Sequence, residues 1–240
     1  MRRIGGRFLI PDRLELPTLP APEDRSCQCL LTSPANGHEM PQPTQTASLK
    51  RLLTSPTRLF ARSEVLQKPS AVPPTNGCYA WYFREVPKIV PTRGCSTFEG
   101  KTLLYIGVAP DKHDKLDTRQ TLRSRIKRHY RGDAKGSTLR RTLGVLLEPQ
   151  SGFPLRRVGS GNRITLTRAG EGYLNQWMEE NAFVVWGEHP EPWAIEHDLL
   201  QEISCPLNIK DNERHPFVAT LKAMRAEALR RAREKPIAND

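Results

Sequence analysis

CYAWYF, residues 78–83, and TLLYIGVA, residues 102–109, are the two runs from which the fold is read. The first is aromatic and β-favouring, the second a near-continuous apolar run, and both predict strands. Between them, Pro87, Pro91, Gly94 and Gly100 predict a loop. Downstream, RQTLRSRIKRHYR (119–131) places Leu122, Ile126 and Tyr130 at helical spacing, with Asp117 and Gln120 as a capping pair. Ser137 starts a second helix running through Leu147. PLRRV and NRITLT then read as short strands joined by GSGN, and a helix over 169–181 leads into a strand at AFVVW (182–186). EPWAIEHDLLQEIS follows as a helix with Pro192 in its first turn and a stop at Pro206. A last basic helix spans 217–234. Strands, helices, strand and helix around one small sheet predict a single α/β domain, with a mixed, mainly antiparallel sheet flanked by helices.

Upstream of Gly77 the chain changes character. Segments such as PTLPAPED, PQPTQTAS and KPSAVPPTN bury too little apolar surface to offset the entropy of ordering them. Residues 1–74 are therefore expected to be mostly disordered, apart from a short helix within SLKRLLTSPTRLF (48–60), ahead of Pro56. Met40 is a candidate for the natural start. The folded domain is expected over 75–217, with an insertion at about 148–181, and a basic helix and tail over 218–240.

The formal charge of +11 points to a polyanionic partner, nucleic acid before membrane. No apolar run reaches the roughly eighteen residues that a membrane span needs. The five cysteines, Cys27, Cys29, Cys78, Cys95 and Cys205, lack paired zinc-site spacing and fit reduced thiols in a cytoplasmic protein.

Some residues resist a purely structural explanation. Glu196 falls within an apolar helical stripe of Trp193, Leu200 and Ile203, where a carboxylate is costly without a partner. An arginine salt bridge would satisfy it; so would a hard cation such as Mg²⁺ or Mn²⁺. Arg125 and His129 share a helix face, placed roughly opposite the apolar stripe, and a guanidinium there can grip a phosphate. Tyr79 and Tyr105 sit in the strands, where tyrosine is ordinarily a half-buried packing residue.

Together, Gly77-Cys78-Tyr79, Tyr105-Ile106-Gly107, Arg125, His129, Glu196 and the Asn208 of Pro-Leu-Asn resemble the GIY-YIG nuclease family, over about residues 76–217. The layout, with STLRRTLG and NERHPF, is similar to a stand-alone bacterial branch. Cys78 stands where the family usually has an aliphatic residue, on the strand face opposite Tyr79. The resemblance implies a metal-dependent endonuclease acting on nucleic acid, DNA more than RNA, with Mg²⁺ or Mn²⁺ as cofactor. It implies Tyr79, with its pKa lowered by Arg125 and the cation, as activator of the water, and Tyr105 as a hydrogen-bond partner of the phosphate or nucleophile. It further implies Arg125 on the non-bridging oxygens, His129 relaying a proton or holding Tyr79, Glu196 on the metal, and Asn208 orienting Tyr79 or the metal's water. Asn212 and His215 are candidates for supporting groups, with helix capping as the other explanation of Asn212. Substrate backbone contacts are expected from Arg119, Arg123, Lys127, Arg128, Arg131, Lys135, Arg140 and Arg141, and from Lys222, Arg225, Arg230, Arg231 and Arg233 on the last helix. A binding module that kept the fold without catalysis, and a restriction-type sequence-specific endonuclease, are the alternatives. Monomer and homodimer both remain open.

Overall fold

In a computed structural model, the chain is described over residues 43–112 and 120–239. Asp117, Arg119 and Met40 lie outside these residues.

The central sheet is built on β2 (Gly77–Phe83). It pairs antiparallel with β4 (Lys101–Ala109) on one side and β7 (Ala182–Glu188) on the other. β1 (Phe60–Ala61), followed by the short helix α2 (Arg62–Leu66), extends the sheet beyond β7, and β3 (Thr97–Phe98) beyond β4. Every pairing in this sheet is antiparallel. A separate hairpin joins β5 (Arg156–Val158) and β6 (Arg163–Thr165), and a parallel bridge links Val158 to Ala238. The expected α/β architecture is the one that forms.

β2 is buried on both faces, which is why its sequence is apolar throughout instead of alternating. Tyr79, Trp81 and Phe83 face a core filled by α3 (Leu122–Arg131), α4 (Thr138–Leu146), α6 (Arg168–Asn181) and α8 (Phe217–Glu234). Cys78, Ala80 and Tyr82 face the other way, onto Leu49 and Leu53 of α1 (Pro43–Thr54) and Ile195, Leu199 and Leu200 of α7 (Pro192–Glu202). Register slips at one point: Trp81 opposes Tyr105 but Tyr82 opposes Leu103, so Leu104 is an extra residue. The bulge turns Leu104 and Tyr105 toward the same core and keeps Tyr105 on the face that carries Tyr79.

Two expectations need correction. Folded structure begins at least as early as Pro43, well before Gly77: α1 packs its leucines on the sheet, Tyr82 Oη donates to Leu53 O at 2.7 Å, and β1 pairs Phe60 with Val184. A segment poor in apolar residues still orders when a few of them dock on an existing face; Leu49 and Leu52 cover Gly187, where a Cβ would come within 2.3 Å of Leu49 Cδ1. Second, the cap of α3 is Thr121, whose side chain accepts from Ser124 N while Ser124 Oγ accepts from Thr121 N. The segment at 148–181 comprises α5 (Glu148–Ser151), the β5–β6 hairpin and α6, which packs against α4 and β7.

Candidate active site

Tyr79 lies directly across the β2–β4 ladder from Gly107, and its ring runs over that glycine. A Cβ at 107 would fall 2.4 Å from Tyr79 Oη, so the close approach requires glycine. The hydroxyl is 2.8 Å from His129 Nε2, and His129 Nδ1 is 2.8 Å from Ser137 Oγ. All three residues are buried. Rings close around the imidazole, with the centroids of Trp81 at 5.7 Å and Tyr105 at 6.0 Å, both edge-on. His129 was placed opposite the apolar stripe by its sequence position. It is instead 2 % exposed, because the Arg125–His129 face is adjacent to the Leu122–Ile126–Tyr130 stripe, not opposite it.

Burial holds the His129 imidazolium down, with Arg125, Arg140 and Arg128 adding to the effect, so the ring is neutral. Arg125, one turn earlier on α3, brings its guanidinium charge to bear on the Tyr79 hydroxyl, and its Nε is buried without a partner among the described residues. The Tyr79 phenol is pushed up by burial, against the pull of Arg125. The expected lowering is therefore overturned for the protein by itself: desolvation of the phenolate outweighs one neighbouring guanidinium. Tyr105 is pushed up too, by burial and then by Tyr79.

Glu196 comes from the opposite side of the sheet, on α7, with 16 % of its side chain exposed. Its nearest cation is Lys210 Nζ at 3.7 Å, a largely exposed lysine that pairs more closely with Asp211 at 2.8 Å. Among the described residues it has no arginine ion-pair partner, one of the two explanations open from the sequence. Burial raises the Glu196 carboxyl, Lys210 opposes this, and the charges of Asp211 and Asp111 raise it further. Asp111, just past the end of β4, had no sequence signal to mark it. It lines, with Tyr105, Gly107, Arg125, Thr138, Glu196 and Lys210, a cleft of about 120 Å³. The cleft thus brings the carboxylates of Glu196 and Asp111 together with the cations Arg125 and Lys210. That oxygen donor set suits a hard, water-rich cation such as Mg²⁺. Among the described residues no cluster of three or more acidic, His or Cys side chains is placed to hold a metal, so water and substrate would have to complete its shell.

A model of the GIY-YIG catalytic domain matches residues 77–227. The chain belongs to the GIY-YIG nuclease family. No curated protein and no solved structure matches it.

In this GIY-YIG chain the remaining predicted residues divide sharply. Asn208 does not reach Tyr79: its Oδ1 accepts from Ile106 N at 2.9 Å and its Nδ2 donates to Ile106 O at 2.7 Å. Its amide thus acts as one rung of a strand on the edge of β4, and it is a positioning group for the Tyr-Ile-Gly segment. Asn212 is not the cap of α8, which is Pro216; its Nδ2 ties the loop together through Cys205 O and Asn208 O and so supports the backbone at Asn208. His215 pairs with Ser204 Oγ at 3.3 Å, away from the cleft residues.

Of the basic residues, Arg119 lies outside the described residues. Arg140 cannot meet substrate: its guanidinium is fully buried, ion-paired to Glu171, and donates to His129 O and Tyr130 O. Arg123 donates to Val72 O at 2.7 Å, and Arg141 to Ala134 O and Lys135 O, both at 3.0 Å. Arg128, Arg131 and Lys135 are exposed and Lys127 is half-buried. On α8, Arg230 is held by Glu227 and Glu234, Arg231 by Glu148, Lys222 weakly by Glu213, while Arg233 is exposed. Arg225 is half-buried, its Nη1 3.4 Å from Thr142 Oγ1.

No helix among the described residues is long and apolar enough to cross a membrane.

Proposed function

We propose that this protein is a metal-dependent endonuclease that hydrolyses phosphodiester bonds in nucleic acid, with DNA as the substrate we put first. The observation that carries this reading is the buried Tyr79 hydroxyl, 2.8 Å from a neutral imidazole and packed against Gly107, which with Arg125 lines a cleft that also holds Glu196 and Asp111.

Tyr79 passes its proton to His129 Nε2, and its oxygen takes the proton of the attacking water as that water's oxygen bonds to phosphorus. The neutral imidazole is what makes this possible, since burial alone holds the phenol proton tightly. Arg125, with an Nε still unpartnered, meets the non-bridging oxygens as their negative charge grows. Tyr105 donates a hydrogen bond to the same phosphate from the cleft wall. Glu196 and Asp111 would hold Mg²⁺ or Mn²⁺; when bound, the ion supplies positive charge beside the leaving oxygen. Backbone phosphates on either side fall to the exposed cations Arg128, Arg131 and Lys135, with Lys127, which confer no sequence preference by themselves. The three described cysteines are free thiols, in keeping with a cytoplasmic setting.

Incubation of supercoiled plasmid with Mg²⁺, Mn²⁺ or EDTA tests the reading, using wild type and Glu196→Ala. Nicking that needs the metal and disappears in the variant is the expected result. Salt-sensitive binding by both proteins without any cutting would replace the nuclease with a binding module.

A further inference from the structure

His129 holds Tyr79 through one ring nitrogen, and the other nitrogen is occupied by a residue that has so far had no role in the site. Ser137 is the N-cap of α4, 2 % exposed, and its Oγ accepts the backbone N–H of Arg140 at 3.1 Å. The same oxygen lies 2.8 Å from His129 Nδ1. A neutral imidazole donates from one nitrogen and accepts at the other, so the partner of Nδ1 decides what Nε2 can do. The Arg125 guanidinium near Tyr79 carries only donors and offers the phenol hydrogen no acceptor, so that hydrogen points to Nε2, the acceptor in reach at 2.8 Å. Nε2 is then the lone-pair nitrogen, and Nδ1–H donates to Ser137 Oγ. The opposite arrangement would set Nε2–H against the Tyr79 oxygen and leave a buried phenol hydrogen without its acceptor.

We propose that Ser137 is a positioning residue that holds His129 in the Nδ1–H tautomer, keeping the Nε2 lone pair aimed at the Tyr79 proton. The backbone around it is braced for this. Arg140, three residues into α4, donates through Nη1 to His129 O at 3.2 Å, so the same helix end grips both the side chain and the main chain of His129. Glu171, from the inserted α6, pairs with Arg140 and accepts from Ala134 N at 2.8 Å, which ties the connection between α3 and α4 to the insertion. A hydroxyl suits the task better than a carboxylate would, because it selects a tautomer without adding a negative charge that would favour the imidazolium. The role in turnover rests on the nuclease reading above; the tautomer does not.

The test is ¹⁵N NMR of histidine-labelled protein, with the His129 signals assigned by their loss in His129→Gln, run beside plasmid cleavage. Ser137→Gly is the informative variant, since glycine is tolerated at an N-cap and only the hydroxyl is removed. Wild type should show Nδ1 protonated and Nε2 bare. Ser137→Gly should populate the Nε2–H form and lower kcat on the order of ten- to a hundredfold, with KM little changed. Ser137→Thr should restore both. An Nε2–H tautomer in wild type, or a tautomer unchanged in Ser137→Gly, overturns the assignment whatever the protein cleaves. Wild type with the Nδ1–H tautomer but no cleavage would leave the positioning intact and sink the nuclease instead.

Discussion

Two arginines on neighbouring helices turn inward, Arg140 fully buried and Arg125 half-buried, and their surroundings could hardly differ more. Arg140 has a carboxylate in Glu171 and two backbone carbonyls in His129 and Tyr130, so its charge and its directional donors are matched. Arg125 has a phenol beside it and an Nε with no acceptor. A buried guanidinium with its donors answered is a structural tie, whereas one left short of acceptors is prepared for an anion that arrives from outside. Composition treats the two alike, and only the partners separate them.

The sharpest way to break this contrast is to remove the satisfied arginine. Arg140→Ala strands Glu171 and should cost about 3–5 kcal/mol in chemical denaturation. Pairing Arg140→Met with Glu171→Leu should recover most of that loss, and failure to recover would mean that the carbonyl bonds to α3 matter more than the ion pair. Arg125→Ala should do the reverse. Plasmid cleavage should fall about 10²- to 10³-fold while the melting temperature stays near that of wild type. Gly107→Ala tests the packing between these regions: its methyl would collide with Tyr79 Oη, so a stability loss of about 1–3 kcal/mol and a drop in cleavage should appear together.

Acid titration sharpens the comparison further, because His129 lies between the two guanidinium groups. Its folded pKa is depressed below the unfolded value of about 6.5, so the folded state binds fewer protons than the unfolded one. The stability that depends on a neutral ring is present above that pH and is lost as pH falls below it. The groups facing the ring are Tyr79, Ser137, Tyr105 and Trp81 at close range, with Arg125, Arg128 and Arg140 supplying the positive field. Urea midpoints measured from pH 7 to pH 5 should fall more steeply for wild type than for His129→Gln; parallel curves would contradict the assignment. The smallest effects belong to the exposed cations. Arg128→Ala or Lys135→Ala should each reduce the salt slope of nucleic-acid binding by about one, with little change in sequence preference.

Much of this was legible in the sequence because the central strands are aromatic and apolar and α3 has a clean i, i+4 stripe. What escaped has specific causes. The helical wheel puts Arg125 and His129 next to the stripe, so their face turns inward once a sheet covers the stripe, and a surface assignment fails. Arg140 and Arg141 are adjacent in sequence and equally basic, yet only one meets Glu171, a residue contributed by an insertion whose docking no local pattern reports. Asp111 follows a strand with no motif around it. Ser137 was visible as a helix start, but a cap that also holds a histidine needs the crossing of two helices to be known. The short helix ahead of Pro56 was legible, but its docking on the sheet was hidden by composition: a few leucines among Pro, Ser and Thr carry little periodicity, and their burial is created by Gly187 and the face of β7.

Asn208 has a consequence beyond holding Ile106. β3 and Ser96 O, which accepts from Leu103 N at 2.9 Å, cover only the first residues of β4, so the strand beyond Leu103 would otherwise present bare N–H and C=O groups at the margin of the sheet. Such a margin is a template for the backbone of another molecule. The Asn208 amide and the Leu207 N–H, which donates to Leu104 O at 3.0 Å, block that template without adding a strand. The protein thereby keeps its cleft beside an open margin while resisting edge-to-edge self-association, and loss of this one amide would register first as aggregation.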